Sequence, residues 1–295
     1  MFDAVRAAVT GAAWAFLLLA CSGFAHAAQT VAERGEYLFR AAGCATCHTG
    51  AEKGAPRLAG GRRLETPFGI FYSPNITPDP RHGIGGWRAS DLIRAMREGK
   101  SPESAHYYPV FPYPSYAGMR DGDIAAMMTY LQGVPPHSTA NLAHELPWYL
   151  RFRVVNYFWK LLFHSTKPFT DRPDKDASWN RGAYLVNAVG HCGECHTPRN
   201  AFGALVKDRH LAGNPNGPDG DAVPNITPDR EDGIGGWSAY EISQYLKLGL
   251  DPEGDMAGSA MADVIDESLS HLNDADIDAI VTYLRQVPPR KNRGR

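Results

Sequence analysis

Two short segments of the 295-residue chain place two thiols and an imidazole at the same spacing. They read Cys44-Ala45-Thr46-Cys47-His48 and Cys192-Gly193-Glu194-Cys195-His196. In such a segment the two cysteines can bond to the two vinyl groups of one porphyrin, and the histidine that follows is placed as an axial ligand of the iron. The spacing therefore predicts two covalently bound haem c groups, with His48 and His196 as iron ligands.

Other chemistries that use these residue types fit the sequence less well. A zinc site would need ligands that converge on one ion, but the two motifs begin 148 residues apart. A thioredoxin-like redox pair would need a parallel sheet around it, and the sequence shows no such pattern. Five cysteines are too few for a disulfide scaffold, and the fifth, Cys21, lies near the N-terminus.

The opposite face of each iron needs a second ligand, and methionine is the usual choice in high-potential haems. After the second motif we predict Met261, which lies among small residues in an expected loop, ahead of Met256. After the first motif we predict Met119, because the other methionines there lie in predicted helices, where a core role is favoured; they are Met96, Met127 and Met128. His106 is the alternative to Met119 and would give a bis-histidine haem.

The two motifs belong to two copies of a longer pattern. Three more segments recur about 150 residues later: Arg34-Gly35-Glu36-Tyr37-Leu38 from Arg181, Asn75-Ile76-Thr77-Pro78-Asp79 from Asn225, and Gly83-Ile84-Gly85-Gly86-Trp87 from Gly233. Apolar periodicity and glycine stops predict helices over 31–42, 88–98 and 121–132, and over 179–189, 238–248 and 274–286. No segment alternates as a strand would. We expect an all-α protein with two small domains, 28–135 and 176–295, each packed on a buried prosthetic group.

The repeated Asn-Ile-Thr and Gly-Gly-Trp segments admit two interpretations. Their side chains could hold haem propionates, since they offer donors on glycine-rich loops; they are Asn75, Thr77, Trp87, Asn225, Thr227 and Trp237. Alternatively, these residues form turns and supply tryptophans to the core. The sequence favours neither interpretation.

The N-terminus predicts export. Residues 7–20 form an apolar run that is too short to span a bilayer, and Ala25-His26-Ala27 is typical of a signal-peptidase site. We expect a signal peptide over 1–27 and a periplasmic protein. The alternative is a lipid anchor on Cys21, because Leu18-Leu19-Ala20-Cys21 resembles a bacterial lipoprotein box.

Between the two copies, residues 136–175 form a linker. From Trp148 to Lys167 the polar residues share one helical face, which predicts an amphipathic helix; they are Arg153, Asn156, Lys160, His164 and Lys167. The favoured interpretation is a helix that clamps the domains together, and the other is a membrane-surface or partner-docking helix. The formal net charge of −2 leaves no basic footprint, so nucleic-acid binding is not expected.

Several segments outside the cysteine motifs carry a family resemblance. They are Ser73-Pro74-Asn75-Ile76-Thr77-Pro78, Gly83-Ile84-Gly85-Gly86-Trp87, Phe111-Pro112-Tyr113-Pro114-Ser115-Tyr116, Trp179-Asn180-Arg181-Gly182-Ala183-Tyr184-Leu185, and Gly190-His191 with the second motif through Thr197-Pro198-Arg199-Asn200. With them the chain resembles the cytochrome c subunits of bacterial membrane-associated alcohol, aldehyde and sugar-acid dehydrogenases. The fold implied is two tandem cytochrome c-type domains joined by the amphipathic linker helix.

The resemblance also implies a function and supports Met261 as a ligand. Such subunits relay electrons from a periplasmic dehydrogenase to quinone, to further cytochromes or to an oxidase. Many members have methionine where this chain has Phe111, and the best-known members carry a third haem motif and a C-terminal membrane helix, neither of which is found in this sequence.

An electron-transfer protein without a catalytic site of its own is the favoured interpretation. The competing hypothesis is a dihaem enzyme, either peroxidase-like or thiosulfate-oxidising. A peroxidase would need a haem with an open ligand position, which the first copy could supply. A cysteine-ligated thiosulfate site is harder to build, because Cys21 is the only cysteine outside the haem motifs.

Overall fold

The computed structural model describes residues 29–291. The chain divides into two units, Met1–Thr30 and Val31–Arg295, and every element below belongs to the second. The signal peptide predicted over 1–27 and the anchor on Cys21 lie outside the described residues.

Among the described residues, the first copy contains five helices and one hairpin, and the second of these helices is the first cysteine motif. In chain order they are α1 (Val31–Ala41), α2 (Cys44–His48), β1 (Arg63–Thr66), β2 (Gly69–Tyr72), α3 (Ala89–Glu98), α4 (Tyr113–Tyr116) and α5 (Asp121–Leu131). The three helices predicted here begin and end within one residue of α1, α3 and α5. The expectation of no sheet is wrong at the hairpin, whose four-residue strands are too short to show alternation.

The linker comes next, and the helices of the second copy follow it in the same order as those of the first. A 3₁₀ turn (Trp148–Leu150) precedes α6 (Val154–Phe163); then come α7 (Ala177–Tyr184), a π-helical turn (Leu185–Val189), α8 (Gly193–His196), α9 (Ala239–Leu248), α10 (Ser259–Glu267) and α11 (Asp274–Leu284). The helix predicted over 179–189 therefore changes to π geometry after Tyr184. The protein is mostly helical, as expected.

In each copy the first and last long helices cross at a glycine. A side chain on Gly35 would collide with the carbonyl oxygen of Ala126 in α5, and one on Gly182 would collide with that of Ala279 in α11. Only glycine permits backbones to approach so closely. An ion pair fixes each crossing: Arg34–Asp123 in the first copy and Arg181–Asp276 in the second.

Both copies contribute to one hydrophobic core. Leu38, Ile124, Val186 and Ile277, which come from four different helical segments, all belong to a single cluster of buried residues. This shared core explains why Val31–Arg295 forms one compact unit. The boundaries predicted at 135 and 176 stay a prediction. No helix within residues 29–291 is long and apolar enough to cross a membrane.

Candidate functional site

The first cysteine motif forms α2, which follows a tight turn after α1. Gly43, with φ 61°, makes that turn. The Nδ1 atom of His48 lies 2.8 Å from the carbonyl oxygen of Pro74. Because a carbonyl only accepts, Nδ1 carries the proton, and Nε2 keeps a lone pair for a metal. Burial lowers the pKa of His48 and outweighs the opposing effect of the Pro74 carbonyl, so the ring is neutral at pH 7.

The second motif, in α8, has the same geometry. The Nδ1 atom of His196 lies 2.8 Å from the carbonyl oxygen of Pro224. His196 is buried, and burial lowers its pKa as well. The sequence predicted both histidines as ligands but did not identify the prolines. Their signal was visible, because a proline precedes the repeated Asn-Ile-Thr segment in both copies.

The asparagine and threonine of that segment hold the proline carbonyl in place. In the first copy the Asn75 amide oxygen accepts from the Thr77 amide at 2.9 Å and from its hydroxyl at 2.7 Å, and the Asn75 amide nitrogen donates to the His137 carbonyl at 2.7 Å. The loop is thereby tied to the chain that leaves α5. Turn chemistry therefore accounts for both residues.

The second copy repeats this network. The Asn225 amide oxygen accepts from the amide and the hydroxyl of Thr227, both at 2.8 Å, and its nitrogen donates to the Arg290 carbonyl at 2.5 Å. Within the described residues the indole N–H groups of Trp87 and Trp237 donate to no protein acceptor. Of the six residues considered for propionates, these two tryptophans are the ones whose donors remain available.

The four cysteines of the motifs are free thiols, and none is in a disulfide. Burial is the main cause that raises the pKa of Cys44 and of Cys192 to about 12, and that of Cys195 to about 11. Within residues 29–291 no group of three or more His, Cys, Asp or Glu side chains could hold a metal ion.

These donor sets fit haem c. Each motif offers two unpaired thiols for thioether bonds and one imidazole with its Nε2 available. A backbone carbonyl that accepts from Nδ1 fixes the orientation of that imidazole, as such hydrogen bonds do for metal-binding histidines. Bound haem would supply a reversible one-electron couple at the iron. His48 and His196 would each hold one iron. The carbonyls of Pro74 and Pro224 would keep the two imidazole rings aligned.

The methionines predicted as second ligands lie in unlike surroundings. Met119 is fully buried in the core, in a turn whose carbonyls at Ala117 and Met119 accept from Arg97. Met261 is half-buried and lies in the first turn of α10, not in the loop that the small residues predicted. Met256 is 68% exposed, which does not suit a ligand of a buried iron.

His106 faces the linker. Its Nδ1 lies 3.0 Å from the Nζ atom of Lys160, and its ring packs edge-on against Tyr157. The ring is therefore already engaged by α6.

Backbone hydrogen bonds show how the two copies correspond around these methionines. On the N-terminal side, the Tyr107 amide donates to the Gly99 carbonyl, and the Ala257 amide donates to the Gly249 carbonyl in the same way. On the C-terminal side, the Met119 amide donates to the Tyr116 carbonyl, and the Leu272 amide donates to the Leu269 carbonyl. Met119 is therefore the counterpart of Leu272. At the offset of the preceding bonds, the counterpart of Met261 is Phe111. Met119 and Met261 stay predictions, and the two do not occupy equivalent places.

The chain is similar in sequence to known proteins. The family model for cytochrome c matches residues 32–135. The chain is 46% identical over 260 residues to a diheme cytochrome c-type protein of Cereibacter sphaeroides, covering 87% of this chain and 86% of that protein.

Two relatives are subunits of dehydrogenases. The chain is 41% identical to the fructose dehydrogenase cytochrome subunit of Gluconobacter japonicus and 39% identical to the gluconate 2-dehydrogenase cytochrome c subunit of Pantoea cypripedii. In each comparison 88% of this chain is covered, but only 53% and 60% of the relative. The chain thus spans between half and two thirds of the length of these two relatives.

A mostly helical fold in which two histidines each follow a pair of free thiols is typical of c-type cytochromes, which are electron-transfer proteins that bind haem. The chain belongs to the cytochrome c family, and a diheme c-type protein is among its relatives.

Proposed function

We propose that this chain is a periplasmic dihaem cytochrome c that relays electrons from a partner dehydrogenase to quinone, a downstream cytochrome or an oxidase. The observation that carries the proposal is that the two cysteine motifs lie side by side within one compact unit. A one-electron carrier with two adjacent sites can take electrons at one and release them at the other.

Tyr116 joins the two motifs. Its hydroxyl donates to the carbonyl of Ala42, two residues before Cys44, at 3.1 Å. Its ring packs edge-on against that of His191, which directly precedes Cys192, with ring centres 5.1 Å apart. The tyrosine itself is buried.

A second contact holds the attachment segments together. Glu194, inside the second motif, accepts from the Ser115 hydroxyl at 2.6 Å and pairs with Arg199 at 2.6 Å. Ser115 belongs to α4 of the first copy. A fixed geometry between two redox sites keeps the transfer distance short and constant, which is what a relay requires.

The remaining parts of the proposal come from the sequence and the relatives. The signal peptide predicted over 1–27 supports a periplasmic location, and the names of the relatives support a dehydrogenase as the electron donor. We propose Met119 and Met261 as the second iron ligands. A dihaem peroxidase is the second candidate, because Phe111 stands where the repeat places Met261 and would leave the first iron open.

Two paired variants test the relay. Cys44→Ser with Cys47→Ser, and Cys192→Ser with Cys195→Ser, should each lose one covalent haem by mass spectrometry. In stopped-flow mixing with a reduced small-molecule donor, the intact protein should take up two electrons and each variant one. Retention of both haems in either variant would refute the attachment sites. A resting protein with high-spin haem that binds cyanide and turns over peroxide would support the peroxidase instead.

A further inference from the structure

Helix α6 presents its polar face to the protein and its apolar face to solvent. Asn156 and Lys160 are 5% and 9% exposed, whereas Phe158, Leu161 and Leu162 are 59%, 64% and 74% exposed. A surface helix of a globular protein normally has the opposite orientation. Something that accepts apolar side chains must therefore cover this helix in its working state.

The buried polar groups fix the helix in this orientation. Lys160 donates to the carbonyl of Glu98 at 2.7 Å and to that of Gly99, which also accepts from the Tyr107 amide, at 2.5 Å; both carbonyls lie at the end of α3. The Nε2 atom of His164 lies 2.8 Å from the carbonyl of Arg97. If the helix rolled to hide its apolar face, these buried polar groups would lose their hydrogen-bond partners, which is unfavourable.

The apolar surface extends beyond α6. Trp148, Tyr149 and Phe152 precede the helix and are 72%, 53% and 61% exposed. Phe202 borders it on the other side, because its ring packs against Phe163 and its carbonyl accepts from the Trp159 indole at 2.8 Å. We call this surface the outer face; it consists of Trp148, Tyr149, Phe152, Val155, Phe158, Leu161, Leu162 and Phe202. Contiguous exposed apolar surfaces of this kind mark interaction sites.

Charge around the outer face favours one occupant. Residues 146–170 contain no Asp or Glu, and Glu145 and Asp171 are the acidic residues that flank them. Arg151 and Lys167 are exposed at the two ends of the segment. Cations beside Trp, Phe and Leu side chains are typical of helices that lie in the headgroup region of an anionic bilayer. Tryptophan and tyrosine are also the residues that prefer this region.

We infer that the outer face inserts into the surface of an anionic phospholipid bilayer and holds the protein there peripherally. The apolar side chains enter the acyl boundary, and the exposed Arg151 and Lys167 contact lipid phosphates. This inference does not depend on the proposed relay, because it rests on the outer face and not on the two cysteine motifs.

Vesicle sedimentation tests the inference with the haem-loaded protein. Every protein carries Cys21→Ser, so that no acyl chain at that position contributes to binding. The protein should sediment with vesicles of phosphatidylglycerol and phosphatidylcholine, and less with phosphatidylcholine alone. Leu161→Ser with Leu162→Ser should weaken partition into these vesicles at least tenfold, because the variant loses apolar surface that enters the bilayer. It should still fold, because both side chains are exposed. Leu248→Ser, which is also exposed but lies in α9, is the matched control and should bind normally.

Two further readouts locate the contact. Trp148 fluorescence should shift to the blue on binding, and the shift should disappear in Trp148→Phe. Lys167→Gln should weaken binding to anionic vesicles several-fold, whereas Lys53→Gln should not. Absence of binding by the parent protein, or equal binding by the double leucine variant, would overturn the inference. Formation of a dimer that the double variant abolishes, without vesicle binding, would assign the outer face to a second copy and equally overturn it.

Discussion

The phenol of Tyr37 donates a 2.6 Å hydrogen bond to the carboxylate of Asp276, 239 residues further along the chain. The repeat counterparts form the reciprocal bond, since Tyr184 donates to Asp123, also at 2.6 Å. Each copy thus supplies one donor and one acceptor, as the partners in a two-fold symmetric dimer do. The two copies of the repeat therefore contact each other inside one chain as two subunits would.

Removing the hydroxyl groups of these two tyrosines should weaken the contact between the two copies. Tyr37→Phe and Tyr184→Phe should each lower the free energy of unfolding by about 1–3 kcal/mol, because each leaves a buried carboxylate with one hydrogen bond fewer. Urea unfolding measures the loss, and Tyr240→Phe, at a tyrosine that is 71% exposed, should change nothing. A double variant as stable as the parent would contradict the role of the pair.

The Asp276 carboxylate also predicts that the stability of the fold depends on pH. Burial raises the pKa of Asp276, but hydrogen bonds from Arg181 and Tyr37 outweigh it, so the net pKa lies below the ordinary 3.8. A depressed folded pKa adds stability above the unfolded value, and this stability is lost as the pH falls through the folded value. Asp276→Asn should therefore be less stable than the parent at pH 7, and the difference should shrink below pH 4. A difference in unfolding free energy that stays constant from pH 7 to pH 2 would contradict this.

The helix crossings predict a contrast between glycines. Gly35→Ala and Gly182→Ala should each destabilise the protein by more than about 2 kcal/mol, since the added carbon has no space beside a backbone carbonyl. Gly122→Ala is the matched control, because Gly122 lies in α5 with nothing near the position of an added carbon. It should be neutral or stabilising by up to about 1 kcal/mol. Thermal unfolding of the three variants would show whether the order holds.

Features encoded locally could be predicted from the sequence. The span of α5 follows from apolar spacing and a glycine stop, and the roles of His48 and His196 follow from their distance to two cysteines. Features that depend on distant partners could not be predicted. Periodicity showed that α6 is amphipathic, but the buried position of Lys160 depends on carbonyls at the end of α3. The carbonyl of Pro74 likewise becomes a partner of His48 only when the loop folds back.

The corresponding loop of the second copy, which carries the Pro224 carbonyl, should be sensitive to its asparagine. Asn225→Ala would leave the buried Thr227 amide without its acceptor and remove one of the two side-chain donors to the Arg290 carbonyl, and should cost about 1–3 kcal/mol. The freed loop should also let His196 move, which would lower the reduction potential or the spectral homogeneity of one haem. Redox titration and urea unfolding measure the two effects. Asn216→Ala, at an exposed side chain, should alter neither.

The methionine ligands can be tested one at a time. Met261→Ala and Met119→Ala should each abolish the methionine-to-iron charge-transfer band of one haem and lower its potential, because thioether favours reduced iron. Met119→Ala also removes a fully buried side chain, so Met127→Ala, a neighbouring core methionine, is its control and should lose stability but keep both bands. A Met119→Ala protein with an unchanged spectrum would refute that ligand. It would instead support the correspondence of Phe111 with Met261, and Phe111→Met should then create a new charge-transfer band.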